Sequence, residues 1–459
     1  MTRDAAALDG LPPAARWRAM ITIAIAVSMA VLDSAIANIA LPTIASDLAA
    51  SPAASIWVVN AYQLAVTVSL LPLASLGDSL GHRRVYMVGL ALFTLASGAC
   101  ALTHSLPMLV LARVIQGFGG AGIMSVNTAL IRFIFPRAQL GRGIGLNALI
   151  VATSAALGPT IAAAILSVAD WHWLFAINVP LGVIALAIAL RVLPNTSRSG
   201  HRFDLASALL NALTFGLLIT AVDGLGHGDQ QLLVAAELLG GIVFGTIFIR
   251  RQLALPAPML PVDLFRVPIF ALSVATSVCS YTAQGLAYVS LPFFFQSVGG
   301  RSAIETGLLM TPWPAIVVII APIAGRLSDR YPAGILGGLG LAVMTGGLVS
   351  LLLLPEHAGY ANVAWRMALC GFGFGFFQSP NNRLLIESAP RERTGAGSGV
   401  LATARLVGQT TGSALVALAF GVTAQSGGLA AGSALALAIA VAASAAGTVV
   451  STLRLRVTI

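Results

Sequence analysis

The stretch from Ala74 to Arg84, Ala-Ser-Leu-Gly-Asp-Ser-Leu-Gly-His-Arg-Arg, has a partner further along the chain, Gly-Arg-Leu-Ser-Asp-Arg-Tyr-Pro-Ala-Gly from Gly325 to Gly334. Superposing Asp78 on Asp329 sets an offset of 251 residues. The echo continues: Arg113, Gly117 and Gly119 answer to Arg366, Gly371 and Gly373, and Leu157-Gly158 to Thr411-Gly412, at offsets of 253 to 254. A nearly constant offset over several segments marks an internal duplication.

Each copy is embedded in apolar sequence. The chain of 459 residues is 58% hydrophobic and 9% charged, against about 25% charged in soluble domains. That excludes a soluble multidomain enzyme, a nucleic-acid-binding protein and a disordered chain. A helix crossing a bilayer needs about 20 apolar residues, and fourteen runs of that length follow one another from 19–42 and 56–76 through 396–421 and 430–452. Residues 1–17 contain two Asp and two Pro and lead into a run of spanning length, so the first run is expected to remain as a helix rather than be cleaved.

The charges test the count. Every one of the 25 basic residues is Arg, and with 16 acidic residues the net charge is +9. Cytoplasmic loops collect positive charge, and 21 arginines fall in alternate connections or at the termini. Only Arg301 lies in the opposite loops, while Arg113, Arg366 and Arg405 lie inside runs. Missing or inventing one span would destroy that split, so both termini are expected on the cytoplasmic side. The expected fold class is an all-α integral membrane protein of 14 transmembrane helices. Eight spans separate the repeats, which divides the chain into a cytoplasmic N-terminus (1–18), a six-helix bundle (19–193), a linker with two extra helices (194–267), a second six-helix bundle (268–452) and a tail (453–459). Parallel repeats of this kind build many secondary transporters, with the substrate site between the halves. Cys100, Cys279 and Cys370 sit far apart in apolar runs and imply no disulfide framework.

At this point the sequence resembles the major facilitator superfamily, and within it the 14-helix drug:proton antiporters. Leu32 to Pro42 looks like that subfamily's first-helix signature, with Ser34 and Ala35 replacing more usual residues. Ala74 to Arg84 is similar to the superfamily signature between helices two and three, departing at Ala74 and Ser79. Arg113 to Ala121 matches the fourth-helix motif, Leu157-Gly158-Pro159 the core of the antiporter motif, and Trp171 to Phe175 with Asn178 to Gly182 the sixth-helix entry. The resemblance implies a proton-coupled exporter of amphipathic, cationic small molecules in a bacterial inner membrane, working as a monomer with neither cofactor nor metal.

Elementary electrostatics singles out a few side chains. Asp33, about halfway along the first span, is costly as an ion in hydrocarbon. A desolvated carboxylate tends to bind a proton, and the resemblance assigns this position to coupling. Permanent pairing for packing, or a wet vestibule, is the alternative. Arg113 inside the fourth span cannot lose its charge, so it either modulates Asp33 or bonds helix carbonyls. Asp78, Arg83, Arg84, Asp329 and Arg330 are expected in short cytoplasmic loops as a gate, or simply as solvated charge. Gly158 and Pro159 are expected to bend or thin the fifth helix, and Gly408 with Gly412 to mark a close helix contact. Asn60, Tyr62, Gln63, Tyr281, Gln284, Tyr288, Phe377 and Gln378 are candidates for a cavity of aromatic and neutral polar groups, or ordinary packing. Glu237 in the eighth span reads as an interface contact or a further functional acid.

Rival readings are weaker. A respiratory proton-pumping subunit would need buried Lys, and none exists. No His-Glu-x-x-His or G-x-x-x-x-G-K-[ST] occurs, against a hydrolase and against nucleotide-driven transport. An exporter of one endogenous metabolite would use the same machinery.

Overall fold

The computed structural model describes residues 10–196, 203–227, 231–255, 258–355, 358–389, 394–424 and 427–456. Residues 1–9 of the expected N-terminal segment, together with Arg198, Arg202, Arg391, Arg393 and residues 457–459, lie outside them. Helices broken by a single turn residue being counted as one, the described residues form fourteen long helices: α1 Pro13–Asp47, α2 Pro52–Leu80, α3 His82–Ala101, α4 Leu106–Ile134, α5 Leu140–Leu166, α6 His172–Val192, α7 Leu205–His227 and α8 Gln231–Ala254. The second half continues with α9 Pro268–Val298 and α10 Ala303–Leu327, α11 Ala333–Leu352, α12 Tyr360–Glu387, α13 Thr394–Thr423 and α14 Gly428–Leu453. Thirteen are long and apolar enough to cross a membrane. The fourteenth, α12, is diluted by Arg366, Gln378, Asn381, Asn382 and Arg383 but is long enough at 28 residues.

The helices overrun the apolar stretches that announce them. At 1.5 Å per residue the 35 residues of α1 extend well past a hydrocarbon core of about 30 Å. Local signals set the ends. Ser51 caps the start of α2 ahead of Pro52, and Ser302 with Glu305 forms a capping box at α10. The short loop expected to hold Asp78, Arg83 and Arg84 after the second span is corrected: α2 runs to Leu80, α3 begins at His82, and only Gly81 lies between them. Its φ of +99° is open to glycine and strained for other residues. Asp78 is therefore helical.

The duplication is visible in the packing. A Cβ on Gly117 of α4 would come within 2.6 Å of the Tyr62 carbonyl of α2, and one on Gly119 would meet the Phe93 backbone of α3. In the second half, Gly371 of α12 meets the Trp313 carbonyl of α10 and Gly373 the Met344 backbone of α11. Tyr62 and Trp313, like Phe93 and Met344, are 251 residues apart. The glycines are repeated because backbone must pass against backbone at the same places.

Among the described residues, the hydrogen bonds between helix ends join connections of like parity. On one side Leu11 N–H donates to the Ile134 carbonyl at 2.9 Å, Arg83 donates to Asn195 at 2.6 Å, and Arg251 to Asp204 at 2.9 Å. On the other, Trp171 donates to Asp47 at 2.8 Å, Trp57 to Asp223 at 2.9 Å, and Arg301 to the Ala358 carbonyl at 2.6 Å. Alternation of this kind is what fourteen complete crossings require. The second of these sides is the one poor in arginine, called outer below.

α7 packs against α2 and α13, and α8 packs on α7. Asn211 on α7 donates to the Val68 carbonyl of α2 at 2.8 Å, so the inserted pair covers the seam where α2 meets α13.

Candidate functional site

Asp33 and Arg113 form an ion pair whose side chains are both fully excluded from solvent. α1 delivers the carboxylate and α4 the guanidinium. Asp33 Oδ1 accepts two more bonds, from the Gln116 amide at 2.8 Å and from the Asn178 amide of α6 at 3.1 Å. Arg113 donates from Nε to the Val58 carbonyl of α2 at 2.8 Å and from Nη1 to Gln116 Oε1 at 2.6 Å. Its Cζ lies 4.3 Å from the centre of the Tyr62 ring and 5.5 Å from that of Phe175. Gln116 is steadied by a bond to Ser97 at 2.9 Å. Tyr62 fits because Gly117 and Gly120 leave room: a Cβ on Gly120 would stand 2.7 Å from its hydroxyl. Arg113 Nη2 has no hydrogen-bond partner. Four helices thus converge on a charge pair that no water reaches, and a buried pair of this kind is stable only with such added donors.

Of the sequence candidates, Asp33, Arg113 and Tyr62 come together here. Gln116, Asn178 and Ser97 were not singled out as site residues. Gln116 and Asn178 lie inside the quoted motifs, but neutral polar residues occur in most spans and nothing in the sequence ranks these above the others.

The second half carries no equivalent pair. The prolines within α1 and α9, Pro42 and Pro292, set an offset of 250, which places Ala283 opposite Asp33. The glycines of α4 and α12 set 254, which places Met367, not Arg366, opposite Arg113. Both replacements are fully buried. Arg366 instead donates to the Ser350 carbonyl and, at 3.2 Å, to Asn362, a bonding pattern that ties α12 to α11.

In their contacts with other described residues, the charged candidates for a gate stay within their own halves. Asp78 pairs with His82 at 3.1 Å, Arg83 donates to Asn195 and, at 2.7 Å, to the Leu190 carbonyl, and Asp329 pairs with Arg383. Arg84 and Arg330 are exposed. Among the described residues, the hydrogen bonds between the halves lie toward the outer face or mid-membrane. Gln296 of α9 donates to the Ile39 carbonyl of α1 at 2.9 Å and faces Thr43 at 3.5 Å. Thr160 of α5 meets Thr311 of α10 at 2.9 Å. Ser413 of α13 donates to Gln63 of α2 at 3.3 Å, and Thr67 meets Thr410 at 3.3 Å. A Cβ on Gly307 of α10 would stand 2.5 Å from the Pro159 carbonyl, and one on Gly158 2.5 Å from Ala35 Cβ. α5 runs as a continuous helix through Gly158 and Pro159, which seat it against α1 and α10. The molecule is closed at its outer face.

The other cavity candidates separate. Tyr281 accepts from Gln378 at 2.9 Å and packs edge-on against Phe374. Tyr288 stands edge-on to Trp313. Gln63 and Gln284 are buried, and neither amide atom of the buried Asn60 has a partner. Phe377 is fully buried, and a Cβ on Gly340 of α11 would fall 2.7 Å from Phe377 N, so it packs against α11 within the second half. Glu237 is half-buried on α8. The cysteines are free.

The sequence profile of the Major Facilitator Superfamily matches residues 23–413. The uncharacterized transporter YebQ of Escherichia coli is 63% identical over 412 residues, which span 89% of this chain and 90% of YebQ. The riboflavin transporter RibZ of Clostridioides difficile is 31% identical, covering 87% of each chain. The multidrug resistance protein Stp of Mycobacterium tuberculosis is 32% identical over 86% of this chain and 74% of its own. Among solved structures, a bacterial homologue of the human lysosomal transporter Spinster superposes with a TM-score of 0.70 at 15% identity, covering 97% of this chain and 98% of the other.

Proposed function

The chain belongs to the Major Facilitator Superfamily, and from that premise we propose that it is a proton-coupled antiporter of the 14-helix drug-exporting kind, moving amphipathic small molecules out of the cytoplasm across a bacterial inner membrane. Both termini face the cytoplasm, and one chain suffices. The observation that carries the reading is the sealed Asp33–Arg113 pair, because its holders are also the elements that close the outer face. α2 supplies the Val58 carbonyl and the Tyr62 ring to Arg113 and, with its next residues, Gln63 and Thr67, the bonds to α13. α1 carries Asp33 and the Ile39 carbonyl held by Gln296.

Parting the bundles (19–193 and 268–452) at the outer face releases α2 from α13 and α1 from α9. Arg113 loses its fixed seat, and a carboxylate left in apolar surroundings without its cation takes a proton. Return to the closed form restores the pair and expels the proton inward, while substrate travels the other way. Asp78, Arg83, Arg84, Asp329 and Arg330 close the cytoplasmic mouth in the opposite state. The name of the relative Stp supports broad efflux. That of RibZ supports a second reading, export of a single metabolite by the same cycle, which a resistance panel in cells stripped of other pumps separates.

The test uses inside-out vesicles with an acid lumen. Added substrate is expected to release lumenal protons, read by a pH-sensitive dye, and Asp33→Asn to abolish the signal at equal protein level. Undiminished proton release by Asp33→Asn would overturn the mechanism.

A further inference from the structure

Arg405 lies on α13 between two packed faces. Toward one side, Gly408 and Gly412 bring α13 onto α9: a Cβ on Gly408 would stand 2.8 Å from the Val278 carbonyl, and one on Gly412 2.6 Å from that of Thr282. Toward the other, Thr410 and Ser413 bond α2. At 3.6 residues per turn, Arg405 points between those two faces, into the wedge that α9 of one bundle and α2 of the other form on the surface of α13. Its guanidinium is close enough to the phenols of Tyr281 on α9 and Tyr62 on α2 to act on both electrostatically.

The charge is not neutralised among the described residues. No carboxylate among the described residues pairs with Arg405, and its buried Nε has no hydrogen bond. Asp33, which shares the Tyr62 environment, is committed to Arg113. The other arginines enclosed by helices are satisfied: Arg366 by the Ser350 carbonyl and Asn362, and Arg454 by Asn381 at 2.7 Å and by Ser451. An arginine cannot discharge itself by losing a proton, and an intramembrane charge left open is a functional group by default. Its depth fits an entry from the cytoplasm. It stands five residues, about 7 Å, to the cytoplasmic side of Thr410, the innermost hydrogen-bonded contact between the bundles among the described residues.

We propose that Arg405 is the substrate-recognition residue, its guanidinium holding the carboxylate or phosphate of an amphipathic organic anion whose aromatic or apolar body lies between Tyr62 and Tyr281. The planar fork of arginine suits both oxyanions, and the Tyr281–Gln378 pair is at hand for neutral polar parts of the ligand. A cationic substrate meets repulsion here and finds no free carboxylate among the described residues of the wedge. This deepens the export reading above and rests on it.

The experiment uses the purified full-length protein and three probes of one shape: 1-naphthoate, 1-naphthyl phosphate and 1-naphthylmethylammonium. Calorimetric binding is expected for one or both anions and not for the ammonium. Arg405→Gln should weaken anion binding roughly ten- to hundredfold, the range for losing a charged hydrogen bond, and Arg405→Lys should fall between. Removing a charge from a span favours folding, and an unfolding midpoint for Arg405→Gln no lower than the parent's certifies the comparison. Failure of both anions to bind, or binding indifferent to Arg405→Gln, overturns the site. The same probes in acid-loaded inside-out vesicles separate the two readings. Arg405-dependent anion binding without proton release would overturn antiport and leave the site standing, whereas proton release driven by the ammonium alone would overturn the site and leave antiport standing.

Discussion

Replacing the Asp33–Arg113 pair by what the second half carries, Ala and Met, puts its energetics on trial. Removing one partner of a buried ion pair costs about 3–5 kcal/mol, because the other charge is stranded. Arg113→Met leaves Asp33 with amide donors from Gln116 and Asn178 but no cation. Asp33→Ala leaves Arg113 with the Val58 carbonyl, Gln116 Oε1 and the Tyr62 face. The double variant strands no charge. Gln116 keeps Ser97, and the main loss is the Asn178 amide, a buried donor worth about 1–3 kcal/mol when unmet. The singles should therefore sum to about 6–10 kcal/mol and the double to no more than about 4, a coupling of at least ~2 kcal/mol. pH separates the singles. The carboxyl of Arg113→Met can neutralise itself, so the folded variant holds a proton that the unfolded chain releases above about pH 4. Its stability then falls as pH rises, by up to about 1.4 kcal/mol per unit, while Asp33→Ala shows no such term. Unfolding in mixed micelles, followed by the fluorescence of the six tryptophans, measures all of this. A double variant as damaged as the sum of the singles would refute mutual compensation, and a pH-flat Arg113→Met would refute a carboxyl able to hold a proton.

Two further outcomes follow from the closed outer face and from the inserted helices. Cysteines at Thr160 and Thr311, whose hydroxyls stand 2.9 Å apart, should cross-link under mild oxidation, stop transport completely and release it on reduction; an active cross-linked protein would show that these helices do not part. Where the start of α7 meets the end of α8, burial works against the charge of Asp204, but the bonds from Arg251 and Ser207 outweigh it and hold the carboxyl down to about 2. The stabilisation is therefore complete above the ordinary Asp value near 3.9 and is lost as pH falls through about 2. Asp204→Asn should lower the unfolding midpoint slightly at pH 7, in keeping with a partly exposed pair, and erase the acid-side drop; a midpoint identical to the parent at every pH would show that the staple is idle.

What could be read in the sequence was whatever the bilayer or the duplication imposes. Apolar length and arginine placement gave fourteen crossings, and the offset between Asp78 and Asp329 led to the glycines of α4 and α12, because close backbone passage leaves glycine no substitute. The loop at Gly81 was read too long because Asp78 and Ser79, polar residues at a membrane surface, are as compatible with a helix end as with a loop. The scaffold is repeated and the chemistry is not: Gly117 and Gly371 perform one packing task, while Asp33 and Arg113 face Ala283 and Met367. A one-residue slip makes Arg366 look like the partner of Arg113 in sequence, although on a helix one residue turns a side chain by about 100° and sends it to another neighbour. Hence duplication predicts where helices touch and says nothing of where charge sits. The latter needs the partners in three dimensions, and those partners, Gln116, Asn178, Ser97 and the Val58 carbonyl, are neutral groups on four helices. The same reasoning isolates Arg405, one of three arginines inside spans in the sequence, set apart from Arg113 and Arg366 only once those two have been matched to partners and this one has not.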